Sequence, residues 1–184
     1  MSNTSKNTQK LVLAAIFLAL GLIMPFFTMQ IPQIGSMLLP MHLPVLVCGF
    51  VCGWQYGLAV GFIVPLLRSV TFGMPPLFPT ATAMAFELAV YGAVTGLMYA
   101  KFPKTNKMVY VDLIIAMIAG RIVWGAVSMI CYSVAGKGFT WQMFVAGGFV
   151  NAIPGIILQI IVVPILVIAL KSAKVISYER ASEF

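Results

Sequence analysis

Arg68, Glu87 and Arg121 each interrupt an otherwise uncharged apolar stretch long enough to lie inside a lipid bilayer. A charge there is costly, and such groups ordinarily face a bundle interior or a wet cavity and mark a substrate or ion path. The chemistry they offer is recognition, because a guanidinium presents a planar fork of donors suited to carboxylate or phosphate. Two arginines against one glutamate leave one positive charge over, which predicts a small anion or zwitterion as ligand. A plainer reading also fits: one arginine pairs with Glu87 and fastens two helices.

Neighbouring residues extend this set. Tyr91 lies one helical turn from Glu87 and Trp124 one turn from Arg121, so each shares a face with its charge. Asn151 precedes Pro154 and Gly155, where a loosened helix offers unpaired carbonyls. His42 opens a span at its outer end, ahead of Leu43 and Pro44. Together Arg68, Glu87, Tyr91, Arg121, Trp124, Asn151 and His42 are the candidate substrate-binding residues. Aromatic walls with a few fixed polar groups are what a small-molecule pocket needs. The aromatics alone also read as ordinary packing, and His42 as a loop hydrogen-bonding residue or, with Glu87, a proton relay.

The elements that position these groups follow from composition. The chain has 184 residues, 61% hydrophobic and 8% charged, with a mean hydropathy of +1.05. A soluble domain carries about 25% charged residues. The expected fold is therefore an all-α integral membrane protein, one transmembrane domain over 1–184. The polar start with Lys6 and Lys10, followed by an apolar run longer than a signal-peptide core, reads as a retained first span.

Apolar runs predict six spans near 10–28, 41–53, 56–72, 79–100, 110–133 and 141–170, of which the second is short for a core needing about 20 residues. Residues 41–72 also read as one bent element, which would give five. The distribution of lysine favours six: with the N-terminus inside, Lys6, Lys10, Lys101, Lys104, Lys107, Lys171, Lys174 and Arg180 fall on the cytoplasmic side and Lys137 outside. Both termini are then cytoplasmic. Arg68, Glu87, Arg121 and Asn151 fall in the outer half of the bundle or near its midplane, by a rise of about 1.5 Å per residue.

Gly49, Gly53, Gly57 and Gly61, with Gly92 and Gly96, recur at the spacing that lets helix backbones approach closely in lipid. The outer connections Met29–Leu39 and Thr71–Pro79 are rich in Pro and Gly and read as shaped loops, either lids or stiff connectors. Cys48, Cys52 and Cys131 sit in apolar runs and read as small buried hydrophobes, without the second Cys/His pair a zinc site needs.

Several classes are excluded. There is no HExxH, GxSxG or CxxC, and no GxxxxGK[ST] for holding nucleotide phosphates, so the chain is read as no enzyme and no ATPase, without a cofactor. Asp112, at the cytoplasmic edge, is expected to cap or orient the fifth span. The net charge of +7 sits at segment ends and forms no basic patch with interleaved aromatics, so the expected partner is the bilayer and not nucleic acid.

Across essentially its whole length the chain resembles the substrate-binding S components of energy-coupling factor (ECF) vitamin transporters. The likeness rests on its size and six spans, on Ala15 and Ala19 spaced as AxxxA in the first span, and on PMHLPVLVCGF, GWQYGLAVGFIVPLLRS, FGMPPLFPTA and AMAFELAVYG between Leu39 and Ala100. The resemblance implies a bacterial plasma-membrane protein that captures a vitamin or precursor from outside, beneath the first, third and fifth loops. It implies partners too: a transmembrane coupling subunit docking on Ala15 and Ala19, and two ATPase subunits that drive uptake as the S component topples to release cargo. His42-Leu43-Pro44 stands where riboflavin binders carry an acidic residue before Ile-Pro, so riboflavin is disfavoured. Pantothenate and nicotinate, each with a carboxylate, are the leading substrates. The alternatives are a self-sufficient proton- or sodium-coupled carrier using Glu87, and a structural subunit without ligand.

Overall fold

From His42 to Cys52 the chain carries no lysine, arginine or carboxylate, and every residue of that helix is buried. A helix apolar on all sides belongs in the middle of its bundle. The computed structural model describes residues 3–28, 31–103 and 105–173. Met29, Lys104, Lys174 and Arg180, and the side chain of Lys6, lie outside the described residues.

Around that helix, α3, the elements run α1 (Asn3–Ile23) with a tighter turn at Met24–Thr28, α2 (Pro32–Leu38), α3 (His42–Cys52), α4 (Trp54–Phe72), α5 (Thr82–Lys101), α6 (Asn106–Val134), α7 (Trp141–Val145) and α8 (Ile153–Ser172). Among the described residues six stretches are long and apolar enough to cross a membrane: Asn7–Thr28, Gln33–Cys52, Trp54–Phe72, Leu77–Lys101, Asn106–Val134 and Trp141–Ser172. The protein is an all-helical six-span bundle. Lys10, Lys101, Lys107 and Lys171 gather at one end and Lys137 at the other, which sets the first end in the cytoplasm by the positive-inside rule.

Glycine decides how the centre packs. Gly53, at φ 94°, ends α3 and reverses the chain into α4, so residues 41–72 are two helices and not one bent element. Gly53 N–H still reaches Gly49 O at 3.1 Å. Behind that reversal, a Cβ on Gly57 would run into the Gly92 carbonyl, and one on Gly92 into the Gly57 carbonyl. A Cβ on Gly61 would likewise strike the Leu88 carbonyl. Such backbone contact requires that side chains be absent, and it brings α5 against both α3 and α4.

Three details differ from the sequence expectations. The first outer connection contains α2, which starts on Pro32, where a missing N–H costs nothing, and stops at Leu39 in the left-handed region, φ 50°. The second span consequently begins at Gln33 and is not short. The cap of α6 is Thr105, whose Oγ1 accepts from Met108 N–H at 3.4 Å; Asp112 is fully buried further along and accepts no hydrogen bond from the described residues. The sixth span is interrupted by a wide turn at Ala146–Val150, where Asn151 N–H reaches back five residues to Ala146 O at 2.9 Å. The three cysteines are buried and free.

Candidate functional site

Opposite the lysine-rich end, the upper halves of the spans and the first and second outer connections line a cavity of ≈ 490 Å³. That is within the roughly 300–1,000 Å³ typical of small-molecule sites. Arg68, Glu87, Arg121, Trp124 and His42 all line it, although they come from α4, α5, α6 and α3.

Glu87 is the hub. Its Oε1 lies 2.9 Å from Arg121 Nη1 and 3.6 Å from His42 Nε2, and it accepts the Tyr91 hydroxyl at 3.1 Å. All four side chains are buried. Tyr91 does not line the cavity; it lies one turn below Glu87, its ring 5.4 Å from that of His42, centroid to centroid. Room for it comes from Gly120, where a Cβ would collide with the Tyr91 ring. Thus Gly120, directly before Arg121, lets α5 and α6 approach closely enough for the ion pair.

The pair leaves groups over. Arg121 Nε and Nη2 and both His42 ring nitrogens are buried without a hydrogen-bond partner among the described residues. Buried donors are normally satisfied, and the exceptions deserve a reason. Arg68 has a different environment: Nη1 donates to the Leu22 carbonyl, and the guanidinium lies over the Phe26 and Phe72 rings. No carboxylate among the described residues pairs with it, so the cavity carries two guanidiniums against one carboxylate.

Trp124 forms an aromatic wall. Its ring stacks on Phe144 at 6.1 Å and meets Phe139 edge-on at 5.9 Å. Gly147 and Gly148 accept its far edge, since a Cβ on Gly147 would stand 3.1 Å from Trp124 Cη2.

Asn151 is not brought to this site. It is exposed and does not line the cavity. In a regular helix Asn151 would share a face with Gly147, which does line it; the wide turn at Ala146–Val150 breaks that register directly before Asn151. Ala15 and Ala19 lie on the exposed face of α1 and do not line the cavity.

The sequence reading missed Gln33, Ser36, Thr80, Met74 and Met84, all cavity-lining. Gln33 and Ser36 sit in the first Pro- and Gly-punctuated connection and Thr80 directly follows the second, and that setting was the available signal. Asp112 and Gln159 are also buried without hydrogen-bond partners among the described residues, but neither lines the cavity.

A family model described as the ECF transporter, substrate-specific component, matches residues 9–167. No curated protein and no solved structure matches the chain. The match spans most of the sequence and agrees with the six apolar helices. The chain belongs to the substrate-specific components of ECF transporters, multi-pass proteins of the bacterial cell membrane that serve as transport subunits and not as enzymes.

Proposed function

We propose that the cargo is a small carboxylate, a vitamin or vitamin precursor, taken from outside with its anionic end towards Arg121. Pantothenate and nicotinate are the first choices. The observation that carries the reading is the charge imbalance: two buried guanidiniums line a cavity that holds one carboxylate, which pairs with Arg121 alone of the two, and Arg121 keeps Nε and Nη2 unpaired. A guanidinium edge of two parallel donors suits a carboxylate. Glu87 holds the opposite edge, Tyr91 steadies Glu87, and His42 supplies a further polar contact. Trp124 offers a flat apolar surface to the body of the ligand, and Arg68 adds positive potential from across the cavity.

Uptake then depends on a transmembrane coupling subunit and two ATPase subunits, a reading supported by membership of the ECF substrate-specific components. Ala15 and Ala19 are the proposed docking points on α1. Calorimetry with matched pairs tests the anion: nicotinate against nicotinamide, and pantothenate against its alcohol. The carboxylate member of one pair should bind at least about tenfold tighter, a difference near 1.4 kcal/mol. Equal affinity within both pairs contradicts the proposal. For the coupling, cells carrying this chain should accumulate cargo with the module present, and vigorous uptake in its absence would refute it.

A further inference from the structure

Arg68 is 2% exposed, yet its fork is turned away from Glu87. It donates instead to Leu22 O, in the last turn of α1. A helix end leaves its final carbonyls open, and the chain here tightens into a turn whose Pro25 has no N–H to offer. Those carbonyls hold the negative end of the helix dipole, where a cation is favoured. Arg68 therefore caps α1 from a different helix.

The same joint is clasped by aromatics. Phe26, in the turn after α1, and Phe72, at the end of α4, stand 5.1 and 5.2 Å from the guanidinium carbon and meet each other edge to face at 5.1 Å. Immediately beyond this joint the chain becomes a wall of the cavity, through Pro25, Thr28, Ile31, Gln33 and Ser36. The far end of the wall rests on α8, where Gly155 leaves space for the backbone of Met37; a Cβ there would lie 2.6 Å from Met37 O. One wall is thus suspended between two fastenings, and Arg68 is the polar one.

We propose that Arg68 is a positioning residue: it sets the first-connection wall of the cavity by capping α1, and it does so through the planar shape of the guanidinium. A lysine should not replace it, because a compact, strongly hydrated ammonium has no flat face for two rings. The inference is independent of what the cargo is. It assigns the two arginines different tasks, Arg121 to the ligand and Arg68 to the wall.

Thiol labelling of the full chain in detergent tests this without a ligand. Thr28→Cys reports on the wall, and Ser128→Cys, buried on α6, on the bundle at large. Adding Arg68→Gln or Arg68→Lys should speed methanethiosulfonate labelling of Thr28→Cys about tenfold while leaving Ser128→Cys unchanged, the mark of a local opening. Phe72→Leu, which removes one ring of the clasp, should give a smaller rise at the same place. If the Arg68 variants do not fold, the Phe72→Leu comparison decides alone. The proposal is overturned if Arg68→Lys labels like its parent, if both positions quicken together, or if Phe72→Leu leaves Thr28→Cys unchanged.

Discussion

Arg121 Nη1 lies 2.9 Å from Glu87 Oε1 across the α5–α6 interface, with both side chains nearly sealed from solvent. The contact fixes the orientation of the guanidinium while using one of its nitrogens. Removing one member of a buried pair strands the other, which costs about 3–5 kcal/mol. Glu87→Gln should therefore lower the melting temperature of the ligand-free protein. Anionic cargo should restore more stability to this variant than to the parent, since it supplies the missing charge. Thermal unfolding with and without cargo checks both effects. A proton-coupled carrier would behave differently, losing its response to an imposed pH gradient in Glu87→Gln.

The mutual approach of Gly57 and Gly92 makes a second prediction. Each carbonyl occupies the place where the other residue's Cβ would stand, so the backbones must part if either gains a methyl group. Gly92→Ala should destabilise the bundle by about 1–3 kcal/mol, as overpacking does. Gly138→Ala, in open space, should stay within about 0.5 kcal/mol. Equal melting temperatures for the two variants would show that the α4–α5 contact is looser than described.

Ala15 tests the division of labour between capture and coupling. It shares the exposed face of α1 with Leu11, Val12 and Ile16, and none of these lines the cavity. Ala15→Leu should leave binding and melting temperature unchanged and reduce uptake in cells that contain the coupling module, because added bulk blocks close helix approach. Lost binding would mean that α1 shapes the cavity through this face.

Asn151→Ala should change cargo affinity less than twofold, since the side chain points away from the cavity. This residue shows where sequence reading stops. Helix count and the charged members of the site were legible because lipid makes every lysine, arginine and glutamate conspicuous. Arg68, Glu87 and Arg121 were visible for that reason. The wide turn at Ala146–Val150 leaves no such mark, yet it breaks the helix directly before Asn151. The helix Pro32–Leu38 was hidden by its own composition, and the bond from Arg68 to Leu22 because its acceptor is a backbone carbonyl that any residue could supply.

The most direct test is native mass spectrometry of the protein as purified, parent beside Arg121→Ala. The account predicts that the parent carries a small carboxylate and that Arg121→Ala, folded by its melting curve, has lost it, in keeping with a penalty of about 2–5 kcal/mol for removing one partner of a buried charged contact. A cationic or uncharged cargo, or the same carboxylate retained equally by both proteins, would contradict it.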